Sequence, residues 1–209
     1  MPSVPELILQ GRSSSHFTRT ARIFALELDV PHTFRAVLDL TSLDPASYAD
    51  NPALKIPIWI DEAGPLFGTE NICRELLRRS SKPREGYILR GDCSDRLVAN
   101  AEELVLHVMS AEVSIITAKL AGNAVVPPKL LRSIESSLAH LDQHLEAVVG
   151  RLPAGRALSF LEVALFCVVT HLPFRQVLDT TRWSQLTAFS QRFAERPSAR
   201  ATEYRFDTA

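Results

Sequence analysis

An amino-terminal α/β domain followed by an all-α helical bundle is the fold class that the sequence predicts. Up to about residue 80, short apolar runs of strand length alternate with amphipathic stretches. A polar connector follows over 81–93. Beyond it, over 94–209, apolar residues recur at helical spacing, with helix start and stop signals between them. With 209 residues, 46% of them hydrophobic, the chain is long enough to bury a core without disulfides or a structural metal.

In the first domain, Leu7-Ile8-Leu9 predicts a short buried strand stopped at Gly11. Ala21, Phe24, Ala25 and Leu28 then fall at three- and four-residue spacing and predict a helix over 17–28 that packs on a sheet. A second strand is expected over 33–40. A polar loop or short helix opens at Asp44-Pro45 and runs to Asn51-Pro52. Ile56-Pro57-Ile58-Trp59-Ile60 is a β-rich run ended by the turn Asp61-Glu62-Ala63-Gly64, and Pro65-Leu66-Phe67 pairs back on it. Thr69 suits the N-cap of a helix over 70–79, which carries Glu70 at its start and Arg78 and Arg79 at its end, as the helix dipole favours.

In the second domain, a long amphipathic helix is expected over 94–121, and Pro127-Pro128 opens another that stops at Gly150. Ser159 and Glu162 have the spacing of a capping box, and the helix they start, over 161–172, is apolar nearly all round and belongs inside the bundle. A last helix over 182–195 ends before Pro197.

Composition excludes several classes. Lys and Arg total 23 against 24 Asp and Glu, so no basic excess marks a nucleic-acid surface. The three cysteines, Cys73, Cys93 and Cys167, are odd in number and widely spaced, which fits neither a disulfide framework nor a C-x-x-C redox pair and suggests a reducing cytoplasm. The opening residues lack a basic stretch leading into an apolar one, so no secretory signal is expected. The most apolar run, over 163–169, falls short of the roughly 20 residues that span a bilayer.

Two stretches carry chemistry. The first strand delivers the chain into Arg12-Ser13-Ser14-Ser15-His16, where backbone N–H groups and a helix terminus face any hydroxyl in the turn and favour an anion or thiolate. A serine that merely caps the helix accounts for the same residues. The second stretch is Asn51-Pro52-Ala53-Leu54-Lys55-Ile56-Pro57, in which an Ile-Pro bond adopts cis where the fold enforces it and turns the Ile56 backbone toward an extended peptide. An edge-strand proline that starts a strand is the simpler alternative.

Taken together, these residues resemble a family. Ser15 with Arg19 and Arg22-Ile23-Phe24-Ala25-Leu26, then Asn51-Pro52-x-x-Lys55-Ile56-Pro57, then Leu66-Phe67-Gly68-Thr69-Glu70-Asn71-Ile72 are similar to the thioredoxin-like amino-terminal domain of cytosolic glutathione transferases. Ser159-x-x-Glu162 and the closing Arg192-Phe193-x-x-Arg196-Pro197-Ser198 resemble their helical domain. The resemblance implies glutathione as co-substrate, a small hydrophobic electrophile as second substrate, a homodimer and a cytoplasmic protein without a metal. It makes Ser15 the residue that donates to the glutathione sulfur, as in the serine-type theta- and zeta-like classes. It places Ser13, Ser14, His16, Lys55, Ile56, Pro57, Thr69 and Glu70 around the tripeptide. Ile56 would pair with the cysteinyl backbone, and Thr69 would hold the γ-glutamyl carboxylate. Cysteine is absent from the turn, which argues against a thiol transferase.

Gly68 departs from the family pattern, which has Glu or Asp there for the γ-glutamyl ammonium; Glu70 is the nearest carboxylate in sequence. Gly68 is also the ground for a second reading, a non-catalytic module that kept the fold and lost part of the glutathione site. The resemblance also implies that the apolar side of the long helix, with His107 and Ala111, is a candidate wall of an electrophile pocket, although core packing yields the same apolar pattern. His140 and His144 share a helix face without a third ligand at diagnostic spacing and read as solvated surface residues.

Overall fold

A computed structural model describes residues 6–122 and 125–208. The chain forms two compact units. One holds the residues up to Arg84 together with those from Pro197 onward, and the other runs from Glu85 to Arg196.

The first unit is built on a four-stranded sheet in the order β2-β1-β3-β4, from β1 (Ile8–Gly11), β2 (Thr33–Ala36), β3 (Ile58–Asp61) and β4 (Gly64–Phe67). β1 pairs parallel with β2 and antiparallel with β3, and β3 pairs antiparallel with β4. Both faces are covered. This is why Ile58 and Trp59, neighbours that point to opposite sides, are both fully buried, and why the strands read as apolar runs instead of alternating. Ile58 lies with Val37 and Tyr48 in one apolar cluster, edged by Leu54, Ile56, Ile60 and Phe67.

Helices α1 (His16–Glu27) and α2 (Thr69–Arg79) pack together in this unit, and α7 (Pro197–Ala201) packs on α1. Gly11, expected only as a stop, is the last residue of β1. A Cβ there would lie 2.5 Å from the Thr18 methyl carbon of α1, so the close approach of strand and helix requires glycine. β2 ends at Ala36 instead of residue 40, since its ladder partner β1 ends at Gly11, opposite Ala36. β3 starts at Ile58 and not at Ile56, because Pro57 has no N–H to give the ladder. The Ile56-Pro57 bond is cis. Thr69 is not the N-cap of α2. Gly68 is, and Thr69 is the first helical residue.

The second unit is helical: α3 (Arg96–Leu120), α4 (Pro128–Arg151), α5 (Phe160–Phe174) and α6 (Ser184–Ala194). α5 is buried on nearly all sides and contacts both α3 and α6, the central position its apolar sequence predicts. It runs past Leu172 to Phe174 with Pro173 inside its last turn. Asp95, one residue after the expected start, caps α3 by accepting from the Leu97 amide at 2.8 Å. Two short strands, β5 (Tyr87–Ile88) and β6 (Leu158–Ser159), pair in parallel within this unit and have no pattern long enough to be read from sequence.

The Ser159 hydroxyl oxygen accepts from the Glu162 amide at 3.2 Å, as the capping box requires. The Glu162 carboxylate takes the Ser159 hydroxyl at 2.6 Å and a two-pronged Arg156 guanidinium at 2.9 and 2.7 Å. Among the described residues, no helix is long and apolar enough to cross a membrane.

Candidate functional site

Strand register gathers the candidate residues of the first unit. Gln10 at the end of β1 stands opposite Ile58 at the start of β3, and Ile58 stands opposite Phe67 at the end of β4. The chain therefore leaves β1 into the turn at residues 12–15, enters β3 from Ile56-Pro57, and leaves β4 into Gly68-Thr69, all at one end of the sheet. A bond from the Thr69 hydroxyl to the Phe17 carbonyl, at 3.4 Å, ties the first turns of α1 and α2 together.

Ser15 is the N-cap of α1. Its Oγ accepts from the Thr18 amide at 3.2 Å, and its own amide closes the turn on the Arg12 carbonyl at 3.0 Å. The capping role read from sequence is therefore real. It does not exhaust the side chain, because a hydroxyl has one proton and two lone pairs, and accepting from Thr18 leaves the proton to donate. Ser15 is half-buried, beside the positive end of a 12-residue helix. A group with that donor and that dipole favours an anion such as a thiolate.

The neighbours divide by what they face. Ser13 is buried and its polar groups turn into the protein: its amide donates to Asp207 at 2.7 Å, and its hydroxyl oxygen accepts from Arg22 at 3.4 Å. Ser14 and His16 are buried, with the His16 ring centroid 4.7 Å from that of Phe17. Asn51 shapes the approach to Pro57, since its amide donates to the Lys55 carbonyl at 2.8 Å and its oxygen accepts from the Ala53 amide at 3.0 Å. Lys55 itself is exposed, Ile56 half-buried and Pro57 buried.

Thr69 is buried, and Glu70 is half-buried in the first turn of α2. Gly68 has φ +89°, a conformation that side-chain-bearing residues rarely adopt. A carboxylate at that position would bring backbone strain with it.

The two electrophile-pocket candidates belong to the helical unit. His107 is exposed on α3, with Nε2 2.9 Å from Ser133 Oγ of α4. The Ser133 hydroxyl spends its proton on the Leu130 carbonyl, so His107 is the donor in that pair. Ala111 is buried. A cavity of about 610 Å³ in the same unit, floored by Leu145, Val149, Phe189 and Phe193 and edged by Arg192 and Glu146, contains neither residue.

Two side-chain pairings escaped the sequence reading. Asp207 meets Ser13 across 194 residues, and a separation of that size leaves no local signal. In the helical unit His171 Nδ1 lies 2.9 Å from a Glu112 carboxylate oxygen, with both side chains buried. Burial pushes the Glu112 carboxyl up, against the opposing pull of His171 and Arg175. The available signal was a charge at a position where the helix otherwise places apolar residues.

Known proteins fit this arrangement. Residues 9–84 match the family model described as Glutathione S-transferase, N-terminal domain. The chain aligns over most of its length with a solved glutathione S-transferase from Methylobacillus flagellatus KT, determined with glutathione bound. The TM-score is 0.77 at 22% identity, over 96% of this chain and 100% of that one. A glutathione transferase family member from Pseudomonas fluorescens Pf-5, also with bound glutathione, aligns with TM-score 0.76 at 21% identity, over 96% and 100% of the two chains. For isozyme E7 of Drosophila melanogaster glutathione S-transferase the values are 0.71 and 20%, over 98% and 99%. No curated protein matches the chain. The fold is therefore that of the glutathione transferases, with a thioredoxin-like amino-terminal sheet domain followed by a helical region.

Proposed function

We propose that this protein is a serine-type, theta- or zeta-like glutathione transferase that joins the glutathione thiolate to a small hydrophobic electrophile. The observation that carries the reading is the register, which sets Ser15, Ile56-Pro57 and Thr69 at one end of one sheet. The match of residues 9–84 to the transferase amino-terminal model, and the glutathione bound in two similar structures, support it.

A free thiol with a pKa near ~8.5 is only a few per cent thiolate at neutral pH. The Ser15 hydroxyl donates to the sulfur and the amino terminus of α1 adds positive potential, so the S–H bond ionises more readily and its proton passes to solvent. The thiolate then attacks the electrophilic carbon; with a chlorodinitrobenzene a C–S bond forms and chloride leaves. Ile56 pairs with the cysteinyl backbone, and the α2 terminus at Thr69 takes the γ-glutamyl carboxylate. Lys55, Ser14, His16 and Glu70 complete the tripeptide site, and His107 and Ala111 are proposed as electrophile contacts. Dehalogenation and isomerisation use the same thiolate. The homodimer and cytoplasmic location that the resemblance implies belong to this proposal.

Gly68 supplies no carboxylate for the γ-glutamyl ammonium, so the expected consequence is weak glutathione binding. Conjugation of chlorodinitrobenzene by the wild type and Ser15→Ala tests the reading. Loss of one donor to a charged sulfur, about 1.5–3 kcal/mol, is expected to lower turnover at least about tenfold. Unchanged turnover would remove Ser15 from the mechanism. No retention on immobilised glutathione, with no heat protection by the tripeptide, would favour the non-catalytic reading.

A further inference from the structure

The last residues of the chain return to the turn that carries Ser15. From α7 onward, the closing segment is fastened to α1 and the turn before it at several points. The Ser198 hydroxyl donates to the Glu27 carboxylate. Buried Arg19 donates to the Ala199 carbonyl at 3.1 Å, and its guanidinium lies 4.2 Å from the centre of the Tyr204 ring. Three residues further on, the Asp207 carboxylate accepts the Ser13 amide at 2.7 Å, a charge-assisted bond. Arg22 reaches the Ser13 hydroxyl from the other side.

Asp207 is also the acid in a cluster of cations. Burial lowers the pKa of Arg22, Arg205 and Arg19 lower it further, and Asp207 acts in the opposite sense. Within the turn itself, one backbone bond, from Ser15 to Arg12, closes residues 12–15. The carboxylate holds the turn at the Ser13 amide, two residues before Ser15, beside the bonds that Arg22 makes to the Ser13 hydroxyl and the Thr18 amide makes to Ser15 Oγ.

We propose that Asp207 is a positioning residue for the reaction, clamping the turn so that the Ser15 hydroxyl is aimed at the sulfur. It acts through the Ser13 amide and does not touch the thiol. The inference rests on the proposed glutathione chemistry, because positioning matters only if Ser15 meets a sulfur. A displacement of about 1 Å in such a group is enough to cost on the order of 10²-fold in rate.

The test compares the wild type, Asp207→Ala, Asp207→Asn and a chain ending at Phe206. It measures the pH profile of kcat/KM for glutathione and the hydrogen exchange of the Ser13 amide in the free protein. Asp207→Ala and the truncation are expected to speed Ser13 exchange at least about tenfold and to shift the acid limb of the profile toward higher pH. Asp207→Asn, which keeps an acceptor for the amide, is expected to recover most of both. An active wild type whose variants keep its pH profile overturns the inference, whatever the exchange shows, since the tail is then only a fastening of the fold. Unchanged exchange overturns the clamp itself. A wild type with no glutathione-dependent activity overturns the functional reading instead, and the exchange data distinguish that outcome from failure of the clamp.

Discussion

At Gly68 one residue sets two properties against each other. Its φ of +89° suits glycine, and the absence of a side chain leaves no acid for the γ-glutamyl ammonium. Gly68→Glu is expected to tighten glutathione binding about tenfold, as one charge-assisted bond of about 1.5–3 kcal/mol allows. It is also expected to lower stability by about 1–3 kcal/mol through backbone strain. Calorimetric titration and thermal unfolding check both halves. Tyr48 makes a separate case. Its hydroxyl is buried without a hydrogen-bond partner among the described residues, and burial pushes its pKa up. Tyr48→Phe removes an unpaired polar atom, so a gain of about 1 kcal/mol in chemical denaturation is expected, and a loss would mean that the hydroxyl has a partner. Ser15, Pro57 and Thr69 could be picked out as candidates because each is marked by its own neighbours in sequence. Asp207 could not, because its contact with Ser13 is made across 194 residues.

Among the elements, α5 was the most legible, since its cap and its apolar sides are written in consecutive residues. The part that sequence missed is Arg156, which adds a half-buried ion pair to the Ser159–Glu162 cap, with side chains 15% and 17% exposed. Burial opposes ionisation of Glu162, but the Arg156 guanidinium and the Ser159 hydroxyl outweigh it and hold the carboxyl below its usual 4.5. A depressed carboxyl stabilises the fold fully above its unfolded value and loses that contribution as pH falls through the folded one. Glu162→Gln is therefore expected to cost about 1–2 kcal/mol at pH 7, with the difference from wild type shrinking below pH 4.5. Unfolding curves across that range check the sign. The β3 boundary moved for a local reason, the missing N–H of Pro57, whereas that of α6 goes with a tertiary contact. α6 begins at Ser184 with Trp183 in a cap position that offers no side-chain bond, and its Leu186 amide is satisfied by Asp142 of α4, a partner that no local pattern announces.

For the molecule as a whole, the α/β-then-helical order was legible from periodicity, because the change from strand-length runs to helical spacing needs no long-range information. The division itself was read as continuous in sequence, with 94–209 as one helical domain. The structure groups the closing segment from Pro197 with the sheet unit, through contacts of α7 and the tail with α1. That return of the chain is what brings a carboxylate to the Ser13 turn. The central claim is that the sheet end at Ser15, Pro57 and Thr69 binds glutathione and ionises its thiol. It is tested most directly by titrating the ultraviolet thiolate absorbance of bound glutathione against pH in the wild type and in Ser15→Ala. The account predicts a bound-thiol pKa well below the free value of about 8.5, rising by about 1–2 units when Ser15 is removed. A thiol that titrates at its free value in the wild type, or whose pKa is indifferent to Ser15, would contradict it.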